Sequence, residues 1–418
     1  MATQLADIAD LKSIPVEDIN VAQPAIFAAG EEGAWFERLR REDPVHYCHD
    51  SQFGAYWSIT KYKDIMDVEM NHKVFSSESS LGGITISDPE YMGEDGGLEL
   101  PMFIAMDPPK HDEQRKTVSP IVAPSHLQLL ADGIRERAGE VLDELPVGEE
   151  FDWVDRVSIE LTTQMLAILF DFPWEDRRKL TRWSDVATGS PESGVVESWD
   201  QRKQELFECA AYFQKLWDER IKGQPAKDLI SMMAHGEATK NMPYMEFLGN
   251  LILLIVGGND TTRNSISGGL LALHEHPEEY AKLKADPSLI PNMVSEMIRW
   301  QTPLAHMRRT ALEDCEVGGK LIKKGDKVVM WYISGNRDED SIDNPNEFLI
   351  DRKKARQHLA FGFGIHRCVG NRLAEMQLQI VWEEIMKRFS HIEVVGEPTR
   401  VFSTFVRGYS HMPVIVHK

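Results

Sequence analysis

Cys368 lies in a glycine-punctuated stretch, Phe361-Gly-Phe-Gly-Ile-His-Arg-Cys-Val-Gly370, and has the clearest chemical potential in the chain. Behind it, Ala374, Leu378, Val381, Ile385 and Phe389 recur at helical spacing and share one face. A cysteine at a helix N-terminus meets unpaired N–H groups and the positive end of the helix dipole. These stabilise a thiolate and can hydrogen-bond a sulfur that ligates a metal. Gly362, Gly364 and Gly370 let the backbone approach a bulky flat partner. Three readings compete for these residue types: a buried small hydrophobe, a reactive thiol, and a zinc ligand helped by His366. Zinc needs three or four ligands at recognisable spacing, and Cys48, Cys209 and Cys315 are scattered.

Three further stretches carry reactive or charged groups. From Phe247 to Val256 the chain is apolar on nearly all sides, the pattern of a central helix. Polarity then returns abruptly at Asn259, Asp260, Thr261 and Thr262, behind Gly257 and Gly258. Buried polar groups are costly without partners or a task, and paired glycines leave room for a distorted turn that admits a small molecule or water. A kink with a capping threonine is the alternative. Met106-Asp-Pro-Pro-Lys-His-Asp-Glu-Gln-Arg115 predicts a helix start, with Asp107 as cap and Pro108 or Pro109 in the first turn. His111 and Arg115 share a face there, which alone reads as solvated polar surface. Glu296 and Arg299, in a helix opened by Pro291, are by spacing an ordinary surface pair, but Met293, Met297 and Trp300 surround them with bulk.

In this order the stretches resemble the cytochrome P450 family. Phe361-x-x-Gly364-x-x-x-Cys368-x-Gly370 is similar to its haem-binding loop, whose axial iron ligand is a cysteine thiolate. Asp107-Pro-Pro-x-His111-x-x-x-Arg115, Gly257-Gly258-x-Asp260-Thr261-Thr262 and Glu296-x-x-Arg299 match other family motifs, and the resemblance covers the chain from about residue 35. It implies a mainly α fold with small β-sheets, a single domain (35–418) behind a partly ordered N-terminal extension (1–34). Haem b would lie between the central oxygen-binding helix and the Cys368 loop. Cys368 would ligate iron, His111, Arg115, Arg309 and His358 would hold propionates, and Phe361, Gly362 and Gly258 would contact the haem. Glu296 and Arg299 would form a buried structural pair. Glu347 stands where many members have arginine and receives no part in that pair. Thiolate ligation favours O–O cleavage. Thr261 could hydrogen-bond dioxygen, and Asp260, linked to solvent, could supply protons. The implied reaction inserts one atom of O2 into a C–H bond and releases the other as water.

Ile84, Ile86, Val256, Gly257, Leu304, Ala305, Met307, Phe402 and Phe405 are expected to face substrate. Gly257 replaces the commoner alanine and should widen the pocket above the iron. The loop and central-helix wording, with Gly82-Gly-Ile-Thr-Ile86, looks most like the family's soluble bacterial hydroxylases of medium-chain alkanes and fatty acids, which act on the terminal carbon. A narrow apolar channel that presents a methyl group end-on gives such selectivity. A terpene or steroid substrate is the alternative, and a peroxygenase or haem-based sensor would leave Asp260 and Thr261 without purpose. The sequence has no Gly-x-Gly-x-x-Gly after a strand and no four clustered cysteines. A separate ferredoxin and an NAD(P)H-dependent ferredoxin reductase are therefore expected, docking on Arg367, Arg372, Lys110 and Lys116.

The scaffold must fit 418 residues with 42% apolar content, enough for one large domain or two ordinary ones. The longest apolar run, Leu251 to Val256, is too short to span a membrane, and the N-terminus to Pro24 is acidic and polar. With four scattered cysteines this predicts a cytoplasmic protein without membrane insertion. A net charge of −21 disfavours nucleic acid as a partner. Trp35 to Arg40 predict a helix ending before Pro44, and 45–48 and 55–59 a hairpin around 50–54. Leu81 to Leu100 reads as a long loop whose Leu81, Ile84, Ile86, Tyr91 and Met92 would form a lid. Residues 127–222 read as several helices interrupted at 188–194. Glu316-Val317 with Lys327 to Met330 suggests a hairpin, and Val401 to Val416 two strands joined by a turn at 402–405.

Overall fold

The computed structural model describes residues 10–88 and 98–418, so Tyr91 and Met92 of the expected lid lie outside the described residues. The fold is mainly helical with small sheets and is built around one helix, Tyr244–Glu275. Phe247, Leu248, Leu251, Ile255, Ile266 and Leu270 are buried along one side of it, and the side with Val256, Gly257 and Thr261 faces a cavity. Helices Glu160–Phe170, Arg178–Thr188, Trp199–Arg220, Ile290–Gln301 and Asn371–Arg388 pack around it. Gly268 and Gly269 permit the close approach of Ile290–Gln301, since a Cβ there would collide with Gln301 and Met297. The central helix runs unbroken through Gly257 and Gly258. Instead of a break, Thr261 Oγ1 donates back to the carbonyl of Gly257 at 2.9 Å.

A five-stranded sheet flanks the helices in the order Val45–Cys48, Tyr56–Ile59, Lys327–Trp331, His306–Ala311, Phe75–Ser76. Val45–Cys48 and Tyr56–Ile59 form the predicted hairpin. The second expected hairpin differs. Cys315–Val317 pairs with Lys320–Ile322 across Gly318 and Gly319, while Lys327–Trp331 lies between Tyr56–Ile59 and His306–Ala311. Its five residues are all buried, so it belongs at the centre of a sheet rather than in an exposed ribbon. At the C-terminus, Thr399–Arg400 pairs with Tyr409–His411, and Pro413–His417 joins a different sheet with Glu150–Asp152 and His391–Val394.

Two local expectations change. The helix expected from Asp107 starts at Lys110, and Asp107 does not cap it. Its carboxylate accepts from Ser76 Oγ and from the N–H of Ser77 at 2.9 Å, tying the helix entry to an edge strand. Near the N-terminus, Ile19, Val21, Ile26 and Phe27 pack in one apolar cluster with Trp35, Phe36 and Trp331, so the core reaches back across residue 35. Among the described residues, no helix is long and apolar enough to cross a membrane.

Candidate active site

A cavity of about 400 Å³ separates the central helix from the Cys368 loop. Cys368 precedes the helix Asn371–Arg388 and is exposed to the cavity, and its N–H donates to Phe361 O at 2.8 Å. Gly362 and Gly364 both have φ of 65°, a left-handed conformation that a side chain would strain. At Gly364 a Cβ would strike the backbone of Glu69, so this glycine serves packing of the loop. At Gly370 it would meet only Cys368 Sγ, at 4.0 Å. Burial raises the Cys368 thiol pKa, against the backbone N–H groups of Gly370 and Asn371 and the charges of Arg115 and Arg367.

Arg115, Arg309 and His366 stand in the wall beside this thiol. His111, like His358 outside the wall itself, lies behind His366 with ring centroids 4.3 Å apart, and it is its unpartnered Nε2 that keeps it in the donor set. His111 Nδ1 bonds Asp112 at 2.7 Å and His366 Nε2 bonds Ser77 Oγ at 3.0 Å. The other two ring nitrogens, His111 Nε2 and His366 Nδ1, are buried with no partner. Burial lowers the pKa of both rings, keeping them neutral. Arg115 donates to Arg367 O, and Arg309 pairs with buried Glu69 at 2.6 Å, which also accepts from the Tyr332 hydroxyl. Orphaned ring nitrogens and two guanidinium groups beside one thiol suit a flat, acid-bearing group. Haem with its propionates fits that donor set.

His358 is not in the wall. Its ring packs on Phe361 with centroids 5.4 Å apart, its Nδ1 accepts from the N–H of Ala360, and burial lowers its pKa to about 4. His366 takes the place expected for it. Its signal in the sequence is its position two residues before Cys368, a spacing that by itself suggests no more than a zinc ligand.

On the opposite wall, a Cβ at Gly257 would meet nothing within 4 Å, so the missing methyl enlarges the cavity. Gly258 also lines it, but its Cβ would fall 2.5 Å from Leu166 Cδ2, so its smallness serves helix packing as well. Thr261 lines the cavity and Asp260 does not. Asp260 has no exposed surface and pairs with Arg263 at 2.9 Å. Arg263 reaches Asp185, whose side chain is 30% exposed, at 2.6 Å. Asp260 Oδ2 also accepts from Thr188 Oγ1 at 3.3 Å, and Thr188 is in the wall. Burial raises the pKa of Asp260, opposed by the charge of Arg263. Thr188 lies 72 positions from Asp260, and no sequence pattern joined them.

Of the expected substrate residues, Ile84, Val256, Gly257, Leu304, Met307 and Phe405 line the cavity, as do Phe361 and Gly362. Ile86, Ala305 and Phe402 do not. Ile86 and Ala305 are turned into the cluster around Trp331, and the backbone of Ala305 bonds Phe405 and Ile333. Leu304 and Ala305 precede the strand His306–Ala311, and the chain there, bridged to Val406 at Leu304, turns Leu304 to the cavity and Ala305 away from it.

Glu296 and Arg299 are fully buried and paired at 2.7 Å. A third member, Arg352, reaches Glu296 at 2.9 Å, while Glu347 contributes only its carbonyl to both arginines. Burial pushes the Glu296 carboxyl up, but Arg299, the N–H of Leu349 and Arg352 hold it below its ordinary pKa.

The family model described as Cytochrome P450 matches residues 129–408. Linalool 8-monooxygenase from Pseudomonas putida is 36% identical over 91% of this chain and 94% of its own length. Methyl-branched lipid omega-hydroxylase from Mycobacterium tuberculosis is 29% identical over 96% of this chain and 95% of its own. Among solved structures, cytochrome P450-153 from Novosphingobium aromaticivorans is 49% identical and covers 95% of this chain and 99% of its own, with a TM-score of 0.89.

Proposed function

Since this chain belongs to the cytochrome P450 family of monooxygenases, which use haem b with a cysteine thiolate ligand and O2, we propose that it hydroxylates the terminal carbon of a medium-chain alkane or fatty acid. The observation that carries this reading is the open space at Gly257 facing the Cys368 side of a cavity lined by Ile84, Val256, Leu304, Met307 and Phe405. An aliphatic wall of this kind suits a saturated chain, and the space at Gly257 is where its methyl group would meet the reacting centre. The likeness to a lipid omega-hydroxylase supports the same regiochemistry, and the likeness to linalool 8-monooxygenase keeps a monoterpene as the second reading.

In this reading Cys368 ligates the iron, and Arg115, Arg309, His111 and His366 hold the propionates. When bound, the haem supplies reductive activation of dioxygen, favoured by the thiolate. The chain's own groups manage protons. Thr261 lines the cavity and donates to Gly257 O, which leaves its hydroxyl free to accept. Asp260 stands one residue away, joined to the wall by the Thr188 hydroxyl and to the partly exposed Asp185 through Nη2 of Arg263. Because Asp260 is fully buried, a proton it hands over passes through these side chains rather than through bulk water. Electrons come from a separate ferredoxin and its NAD(P)H-dependent reductase, docking near Arg367, Arg372, Lys110 and Lys116.

Turnover of octane, dodecanoate and linalool with a surrogate ferredoxin system tests the reading. Alcohols from octane or dodecanoate are expected. Oxidation of linalool alone would replace this reading with the second.

A further inference from the structure

Arg202 is a cation of the cavity wall that the scheme above leaves without a task. It lies in the first turn of helix Trp199–Arg220, where a positive charge is disfavoured by the helix dipole. Its Nε and Nη2 donate to the carbonyls of Val186 (3.1 Å) and Ala187 (2.7 Å), at the end of helix Arg178–Thr188. Among the described residues no carboxylate pairs with it. On the same two helices Arg178, Arg182 and Arg220 each hold one, Glu160, Glu205 and Asp171 respectively. Burial lowers its pKa to about 10, with no acid opposing, so it remains charged at neutral pH. Much of the wall is aliphatic, including Leu229, Ile252, Leu253 and Leu254. The wall's other two arginines, Arg115 and Arg309, belong to the propionate cluster.

A guanidinium facing an apolar cavity with no counter-ion among the described residues is costly, and two helix-end carbonyls and the Trp199 ring, 5.7 Å from its Cζ, satisfy only part of its five donors and its charge.

We propose that Arg202 anchors the carboxylate of a linear monocarboxylic acid whose methyl end lies beside Gly257 and Cys368, which makes the substrate a fatty acid rather than an alkane. The assignment rests on the terminal-hydroxylation reading and narrows it. One terminal C–H bond is replaced by C–O–H using one atom of O2. The other atom leaves as water with two protons and two electrons, the electrons supplied by a reduced iron–sulfur protein. Arg202 takes no part in the bond changes. It is a positioning residue that sets which carbon arrives at the reacting centre.

Titration of the haem-loaded protein with dodecanoate and with its neutral methyl ester, read by the spin-state shift of the Soret band, tests the assignment in wild type, Arg202→Gln and Arg202→Lys. Glutamine can still donate to a carbonyl of the neighbouring helix but carries no charge. In Arg202→Gln, dodecanoate should bind about tenfold to a hundredfold more weakly with the ester unchanged, and Arg202→Lys should retain most of the affinity. Unchanged dodecanoate affinity in Arg202→Gln would overturn the assignment, as would equal losses for acid and ester, which would mark a role in holding the two helices together. A wild-type protein that responds to neither chain would overturn this assignment, and one that also gives no response to octane would overturn the reading beneath it.

Discussion

Thr261 shows how little separates a structural from a chemical role at the level of one residue. Its hydroxyl bonds the carbonyl four residues back, as threonines in many helices do, but it also faces the cavity across from Cys368. If it orders proton delivery, Thr261→Ala keeps haem and its spectrum while electrons are diverted to hydrogen peroxide. The check is product formed per NAD(P)H consumed, and an unchanged ratio would remove Thr261 from the proton path. The histidines make a second contrast. His366 has a buried ring nitrogen without a partner beside Arg115 and Arg309, whereas His358 packs on Phe361 outside the wall. His366→Leu should release haem to an apo-acceptor protein about tenfold faster, the loss expected for one hydrogen bond to a charged group, and His358→Leu should change that rate little. Sequence spacing made Cys368 legible because its glycines and following helix are local. It could not tell which of two nearby histidines turns inward, because the loop between them bends at Gly362 and Gly364.

At the scale of elements, the Glu296-x-x-Arg299 pair was legible and its completion was not. Arg352 lies 56 positions from Glu296 and reaches it only because the segment after Pro345 wraps back under the helix Ile290–Gln301. Glu296 then faces two cations while the arginines fill five backbone carbonyls: Asn336, Pro345 and Glu347 for Arg299, and Asp343, Asn344 and again Glu347 for Arg352. Breaking a buried ionic network leaves charges and carbonyls uncompensated. Arg352→Met should therefore cost about 3 kcal/mol in denaturant unfolding. Glu347→Ala, which removes an exposed side chain and keeps the carbonyl, should stay within about 0.5 kcal/mol. Equal effects would mean that the network does not carry this stability. The tie between Asp260 and Thr188 was hidden for the same reason as Arg352: contacts between distant helices leave no periodicity in either one. Strand register failed where Lys327–Trp331 looked like half of a local hairpin, because a fully buried strand reads alike whichever partner it takes.

For the molecule as a whole, the apolar run from Phe247 to Val256 announced the central helix, and motif order announced which elements face each other across the cavity. The boundary near residue 35 was less readable. Ile19, Val21, Ile26 and Phe27 are too few and too irregularly spaced to signal burial, yet they complete the cluster around Trp331. What the occupant is depends on the shape and charge of the shared cavity, which no single stretch encodes. The central claim is that a saturated chain lies along that cavity with its methyl group at the reacting centre. It is tested most directly by the regiochemistry of dodecanoate turnover under ¹⁸O2, read by gas chromatography and mass spectrometry. The account predicts mainly the terminal alcohol, carrying one labelled atom. Mainly subterminal alcohols, or an alcohol oxygen drawn from water, would contradict it.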